Sequence, residues 1–169
     1  DSDPTTGTDA EGGNVIGDIV FLDADADGTY EPNGNDGNAG TVADNEHGIA
    51  GVTVALLDAS GDVIATTITS DGTTDVDGDG AADEAGSYLF RGLPDGDYRV
   101  WVNDVGTRLN QLAQSGEPNN AVNNGQACGT CDGTNSVTVS LGNGNLNQDF
   151  GYTSDDAKYA GGNGAGAIG

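Results

Sequence analysis

Basic residues are scarce in this 169-residue chain, which has four lysines and arginines against 28 aspartates and glutamates. The net charge of −24 makes nucleic acids and anionic lipids poor partners, because both are bound through basic surfaces. The chain has one histidine, His47, and nine aromatic residues. A single histidine in a turn-like segment gives no Ser-His-Asp arrangement, and we expect it to be an exposed turn residue. A glycosidase carboxylate pair is formally possible, but few aromatics are available to line a cleft. We therefore predict that the protein is not an enzyme.

Long apolar segments are also missing, since no run of 18 apolar residues occurs, and we predict no membrane insertion. With 30 glycines and short β-branched runs, the chain offers little material for a long helix. Residues 14–22 alternate with both faces partly apolar, which is typical of a strand inside a sandwich. Further short strands are predicted at 51–58, 63–69, 87–90, 98–102, 137–141 and 146–152, with a long polar excursion at 104–134. About seven strands separated by turns predict an all-β, antiparallel β-sandwich.

The ends of the chain differ in composition from its middle. Residues 1–13 are polar without periodicity and are predicted to be a flexible arm. Residues 153–169 are rich in glycine and alanine and are predicted to be a tail or linker. The folded domain is expected to span residues 14–152. The first residue is Asp1 rather than methionine, which fits either an exported, processed protein or part of a longer chain.

Acidic residues concentrate in two windows, 23–46 and 71–84, which hold 13 of the acids. Each window contains carboxylates at every second position followed by glycine, in DADADG (23–28) and DVDGDG (75–80). Alternate side chains in such a loop can point at one cation, and the glycine takes the sharp bend. Oxygen-only donors favour calcium over zinc or copper. The alternative is a solvated acidic surface, as in proteins adapted to high salt.

The two cysteines, Cys128 and Cys131, form a CxxC pair. Such a pair can be a redox centre, half of a zinc site or a structural disulfide. Zinc would need two more ligands, and only His47 is available. A redox pair usually begins a helix, whereas the neighbouring residues here are loop-forming. A disulfide that pins a surface loop is favoured, and it implies an oxidising compartment.

Several segments, in this order, resemble the SdrD B-like repeats, which belong to the wider Cna B-type group of bacterial surface proteins. IGDIVFLD (16–23), the DxDxDG loop and EHGIAGVTV (46–54) resemble the start of such a repeat. SYLFRGLPDGDY (87–98) and DFGY (149–152) resemble its middle and its end. The resemblance implies a Greek-key, prealbumin- or Ig-like β-sandwich that binds calcium in an extracellular stalk, adhesin or fibre.

The resemblance also implies the calcium ligands of the first loop. By position these are the carboxylates of the DxDxDG motif, a backbone carbonyl, the next acid and the acid that closes the loop: Asp23, Asp25, Asp27, Thr29, Glu31 and Glu46. About a dozen residues, including Asp36 and Asp44, are inserted before the closing acid. The loop therefore closes on Glu46, or Asp36 and Asp44 help to build another site. Asp18 caps a turn or adds a carboxylate to the first site.

The second acidic window is an insertion where the family has a plain turn. Its predicted ligands follow the same spacing: Asp75, Asp77, Asp79, Ala81, Asp83 and Glu84. The twelfth position is Gly86 rather than glutamate, so Glu84 or Asp71 would have to complete the shell. Many Cna B-type domains carry an internal Lys–Asn isopeptide bond. Here the single lysine is Lys158, beyond the last predicted strand, and no internal isopeptide is predicted.

These observations predict a secreted or surface-displayed structural module whose loops are rigidified by calcium. Single modules are expected to self-associate into filaments or to stand in a tandem array, for instance by pairing of Asn14–Leu22 or of the tail with a neighbour's sheet edge. The alternative is an adhesin domain that binds a host protein, matrix ligand or glycan, with the outward-facing Arg99 and Trp101 as contact residues. A third possibility is an accessory module of a larger secreted enzyme.

Overall fold

The computed structural model of the chain describes residues 13–33, 45–121, 128, 130–140 and 144–154. Within these ranges the protein is all-β, as predicted, and its regular elements are ten strands in two sheets. The strands are β1 (Asn14–Leu22), β2 (His47–Gly48), β3 (Thr53–Asp58), β4 (Val63–Ile68), β5 (Ser87–Leu93), β6 (Gly96–Val102), β7 (Leu112–Glu117), β8 (Asn120–Ala121), β9 (Thr134–Val139) and β10 (Phe150–Ser154). The described part of the chain contains no helix that could cross a membrane.

The first sheet is organised around β1, which changes partners along its length. Residues 14–19 pair antiparallel with β5, residues 20–22 pair parallel with β10, and residues 21–22 also pair antiparallel with β2. From β2 the strand order is β2-β1-β10-β7-β8. The parallel pair of β1 and β10 is the departure from the predicted antiparallel arrangement, and its register joins Val20 to Phe150.

The second sheet has the order β4-β3-β6-β9 and is antiparallel throughout. The β3–β4 hairpin is closed by the predicted turn at 59–62, where the Asp58 carboxylate accepts hydrogen bonds from the Ser60 and Asp62 amides. Gly61 has a φ of +87°, which is a backbone conformation that favours glycine. Among the described strands, β4 lies at one edge of this sheet and β9 at the other.

The hydrophobic core lies between the two sheets and draws residues from both. Strand β6 alternates, because Tyr98, Val100 and Val102 are buried, whereas the predicted outward-facing residues Arg99 and Trp101 are exposed and partly exposed. The core cluster contains twelve further buried residues: Ile16, Val20, Val52, Val54, Leu56, Tyr88, Phe90, Leu93, Val137, Val139, Phe150 and Tyr152. A β-sandwich with one core is therefore confirmed.

Two strands lie inside the segment that was predicted to be a polar excursion. In β7 the residues Ser115, Gly116 and Glu117 are buried although none is a large apolar residue. Strand β7 pairs with β10 and with the short β8. The last strand begins at Phe150 and extends to Ser154, two residues beyond the predicted domain end. Residues 1–12 and 155–169, which hold most of the predicted arm and tail, lie outside the described ranges.

Candidate metal centre

The first acidic loop follows β1 directly and is shaped by its own carboxylates. Asp23 accepts hydrogen bonds from the Asp27 amide (3.2 Å) and the Gly28 amide (2.8 Å). Asp25 also accepts from the Asp27 amide (3.2 Å), and Asp27 accepts from the Thr29 amide (2.7 Å). Short-range bonds of this kind are the reason that aspartate favours turns. Gly28 has a φ of +84°, the bend predicted for this position.

The carboxylates of Asp23, Asp25 and Asp27 converge within the loop. Each contributes an oxygen that lies within 4.8 Å of the other two, and Asp23 is fully buried. Two carboxylate charges at this separation repel each other by roughly 3 to 4 kcal/mol at an effective dielectric constant of about 20. The donor set consists of oxygen atoms only, which matches the ligands that calcium prefers. These three predicted ligands therefore form a cluster that fits a calcium ion.

Glu46 closes this loop across the long insertion. Its Oε1 accepts a hydrogen bond from the Ala24 amide and its Oε2 accepts one from the Glu31 amide, both at 2.8 Å. The Glu46 amide in turn donates to the Glu31 carbonyl (3.1 Å). Burial, together with the nearby Asp23 carboxylate, raises the pKa of Glu46 to about 8. Glu46 thus joins both ends of the loop through its carboxylate.

The same loop is packed onto the outer face of the first sheet. The Phe21 ring, fully buried, meets the Tyr30 ring with centroids 5.2 Å apart. On the other side Gly28 lies against Gly116 of β7, where a Cβ on Gly116 would come within 2.8 Å of the Gly28 Cα. A change in the conformation of the loop would therefore alter its packing against β1 and β7, the two strands that it covers.

The second acidic loop connects β4 to β5. Asp75 accepts hydrogen bonds from the Gly78 amide (2.6 Å) and the Gly80 amide (2.9 Å), and Asp77 accepts from the Asp79 amide (3.0 Å). Both glycines have a left-handed φ, +80° and +93°. The loop is again bent by backbone amides that point at aspartate side chains.

In this loop the converging carboxylates are those of Asp75, Asp77 and Asp83, which each place an oxygen within 4.8 Å of the others. Asp79, also a predicted ligand, is outside this group and accepts a hydrogen bond from the Ala81 amide (2.7 Å). Ala81, another predicted ligand, is exposed and donates that amide hydrogen bond. No contact of its carbonyl oxygen is seen among the described residues.

The remaining acids of the second window have other neighbours. Glu84 accepts a hydrogen bond from the Tyr30 hydroxyl of the first loop. Burial and the Glu84 carboxylate raise the pKa of that phenol well above its usual range. Asp71 is exposed and accepts from the backbone and side chain of Thr73. Outside this window, Asp18 of β1 lines a cavity together with Tyr30, Glu84 and Asp149.

A close backbone crossing, which was not predicted, joins the segments that follow the two loops. A Cβ on Gly86 would lie 2.5 Å from the Gly48 Cα, and a Cβ on Gly48 would lie 1.6 Å from the Ala85 carbonyl oxygen. Both segments also bond to Val20 of β1, because Ile49 donates to its carbonyl and its amide donates to the Gly86 carbonyl. Only glycine at 48 and 86 permits this crossing, so the positions could have been found as two glycines flanked by ordered strands.

The disulfide predicted between Cys128 and Cys131 is present, with an S–S distance of 2.11 Å. The buried Glu117 of β7 holds the segment after it by accepting hydrogen bonds from the Asp132 and Gly133 amides. The Cys128 amide donates to the Gln114 carbonyl (2.7 Å). The predicted loop is therefore pinned to β7 by backbone contacts in addition to the disulfide.

The other residues singled out in the sequence are His47, Asp36, Asp44 and Lys158. His47 is exposed, although it lies in the short strand β2 rather than in a turn. Asp36, Asp44 and Lys158 lie outside the described residues, so the additional site and the isopeptide prediction stay predictions.

Comparisons with known proteins identify the family of the chain through one sequence model. The sequence model of the SdrD B-like domain matches residues 14–152. Two records of serine-aspartate repeat-containing protein F from Staphylococcus epidermidis are 30% identical over 128 residues, which is 75% of this chain and 6% of those proteins. The solution structure of the Streptococcus pneumoniae RrgB pilus backbone D1 domain shares 12% identity and a TM-score of 0.35, covering 83% of this chain and 86% of that one.

Proposed function

The chain belongs to the SdrD B-like domain family, and we propose that it is an extracellular structural module of a bacterial surface stalk, fibre or matrix, stiffened by calcium. The observation that carries this proposal is the first acidic loop, where Asp23, Asp25 and Asp27 converge and Glu46 ties the loop ends. The chain spans 6% of the length of the curated relatives it matches. What a complete protein that contains this domain does, and what it binds, is therefore proposed here and not taken from those relatives.

Calcium suits this loop because it would replace repulsion among the carboxylates with attraction to the ion. Asp23, Asp25 and Asp27 would hold the ion. Thr29 and Glu31 follow in the same loop, and the Glu31 amide is held by Glu46. A bound calcium ion supplies a double positive charge that the acidic loop otherwise lacks. The side chains already face one another, so binding requires little rearrangement of the backbone.

Stiffening of this loop would be passed directly to the sandwich. Tyr30 packs on Phe21 of β1, and Gly28 touches Gly116 of β7. Both strands flank β10 in the first sheet. A cation that fixes the loop would therefore stabilise three neighbouring strands, which is the property that a structural surface module needs.

Assembly of modules would use the edge strand β4. Its outward positions Ile64 and Ile68 are 50% and 61% exposed, and the strand VIATTI carries no charge. Natural sheet edges are usually protected by charges, so this edge suits strand addition by a second copy of the chain. Strand β1 does not serve as the donor, because it pairs within its own chain along its whole length. The residues after Ser154 are the proposed donor.

A thermal melt of the full chain in calcium, in chelator, and in chelator with sodium chloride tests the calcium role. A ligand at 100 times its dissociation constant stabilises by about 2.7 kcal/mol, which corresponds to a rise in Tm of about 5 to 11 °C for a domain of this size. Sodium chloride screens charge without specific binding, so we expect it to recover only part of the rise. Full recovery would favour a salt-adapted acidic surface instead.

The matched variants are Asp25→Asn in the loop and Asp62→Asn in the exposed β3–β4 turn. Each removes one negative charge, but only Asp25 belongs to the converging carboxylates. We expect the calcium-dependent rise in Tm to shrink in Asp25→Asn and to persist in Asp62→Asn. Equal melting of the unmodified chain in calcium and in chelator would refute the proposed role.

A further inference from the structure

We propose that the loop between β4 and β5 is a second divalent-cation site, built by the carboxylates of Asp75, Asp77 and Asp83 and suited to calcium. It goes beyond the proposed function, because it concerns a different loop and does not require an ion among Asp23, Asp25 and Asp27. It also replaces the ligand set expected from spacing alone, since Asp79 and Glu84 are left out.

Asp83 is the residue that points to a ligand. Its side chain is 1% exposed, and its Oδ2 accepts hydrogen bonds from the Val76 amide (2.7 Å) and the Asp77 amide (3.3 Å). Its Oδ1 is buried and has no hydrogen-bond partner in the described part of the chain. A buried carboxylate oxygen without a partner is costly. A cation in the cluster would supply the missing partner.

The geometry of the three carboxylates suits one ion. Oxygens that bind the same calcium ion at about 2.4 Å are at most roughly 4.8 Å apart, and the oxygens of Asp75, Asp77 and Asp83 fall within that span. Asp75 is exposed and Asp77 is partly exposed. The cluster is therefore open to solvent on the side of Asp75 and closed by the buried Asp83 on the other.

The backbone holds these side chains in place without using the oxygen that lacks a partner. Asp75 is fixed by the Gly78 and Gly80 amides, and Asp83 is fixed by the amide of Val76. The Ser70 hydroxyl also donates to the Asp83 carbonyl (3.1 Å). The loop is thus closed at both ends around the carboxylates, as a preformed cation site requires.

Arg91 offers the competing explanation, in which an arginine neutralises the loop. Its guanidinium lies 2.7 Å from the position that a Cβ on Gly78 would occupy. It does not reach the Asp83 Oδ1, which has no hydrogen-bond partner among the described residues. Arg91 therefore lies beside Gly78 and leaves the buried Asp83 oxygen unsatisfied.

Counting bound calcium by native mass spectrometry of the full chain tests the proposal, with calorimetric titration for affinity. We expect Asp83→Asn to bind one calcium ion fewer than the unmodified chain. Asp75→Asn should weaken the same ion at least tenfold. The matched control is Asp79→Asn, which removes one charge from the same loop but lies outside the cluster, and it should keep the full number of ions.

The first-loop variant Asp25→Asn separates this inference from the proposed function. Loss of one ion in Asp83→Asn and of none in Asp25→Asn would support the second site and count against calcium at the first loop. Unchanged ion number and affinity in both Asp83→Asn and Asp75→Asn would overturn the inference, as would equal losses in Asp79→Asn and Asp83→Asn. If Asp83→Asn fails to fold, as judged by circular dichroism, the exposed Asp75→Asn decides.

Discussion

Glu46 connects two points of the chain that are seven residues apart and themselves distant from it in sequence. Its carboxylate accepts from the amides of Ala24 and Glu31, and its side chain is 3% exposed. A hydrogen bond to an uncharged acceptor contributes about 0.5 to 1.5 kcal/mol, and this lower range applies because the raised pKa of Glu46 favours its protonated form. A single side chain thus fixes both ends of the first loop whether or not a cation is bound.

Replacement of Glu46 by alanine should therefore destabilise the fold even in chelator. We expect a loss of about 1 to 3 kcal/mol in the free energy of unfolding, because two partly buried hydrogen bonds lose their acceptor. Glu46→Gln should lose less, since one side-chain oxygen remains. Urea denaturation at constant pH measures both, with the exposed Asp62→Asn as a control that should change by less than about 0.5 kcal/mol. Equal stability of the alanine variant and the control would contradict this role.

At the residue scale, sequence spacing determines which side chains of a tight loop converge. Asp23, Asp25 and Asp27 were predicted together and converge, because alternate residues of a tight loop share one side. The roles of Asp83 and Glu84 could not be separated in this way. They are adjacent, yet one joins the second loop and the other binds Tyr30, and that division depends on a partner 54 residues away.

Strands show the same contrast at the scale of elements. Residues 14–22 were predicted because both faces of β1 are apolar, and both are buried in the sandwich. Strand β7 was missed because its buried half is Ser115, Gly116 and Glu117. What buries them is the first loop and the segment after the disulfide. A local hydrophobic pattern carries no information about such covering segments.

Gly116→Ala tests the contact between β7 and the first loop. A Cβ there would lie 2.8 Å from the backbone of Gly28, so the loop must shift. Overpacking of this kind costs about 1 to 3 kcal/mol, and calcium affinity at the first loop should fall with it. Urea denaturation and calorimetric titration measure the two effects.

Gly106→Ala is the matched control for that experiment. A Cβ on Gly106 would meet its nearest neighbour at 3.7 Å, which is ordinary van der Waals contact. We expect its stability and calcium affinity to stay close to those of the unmodified chain. If both alanine variants behave alike, the packing of β7 against Gly28 does not control the loop.

For the molecule as a whole, the net charge of −24 opposes contact between copies, and calcium would lessen that repulsion. We therefore expect self-association at high protein concentration in calcium and its loss in chelator, measured by sedimentation velocity and electron microscopy. Ile64→Lys places a charge on the β4 edge and should weaken association. Val105→Lys, at a residue that is 70% exposed outside the strands, is the control and should not.

A chain that remains monomeric in calcium at high concentration would contradict assembly through β4. Association that Val105→Lys weakens as strongly as Ile64→Lys would show that general charge, and not the sheet edge, controls it. The adhesin alternative has thin support at this scale, because Trp101 is only partly exposed and Arg99 lines a shallow cavity with Asp97 and Tyr98.

The parallel pairing of β1 with β10 bears on how the module would respond to tension. The first strand and the last described strand lie side by side and run in the same direction, with Val20 opposite Phe150 and Leu22 opposite Tyr152. A pull on the chain before β1 and after β10 drags the two strands past each other along their length. Their hydrogen bonds then bear the shear force together instead of breaking one after another. Force applied from end to end would meet the resistance of that whole ladder before the sandwich could open.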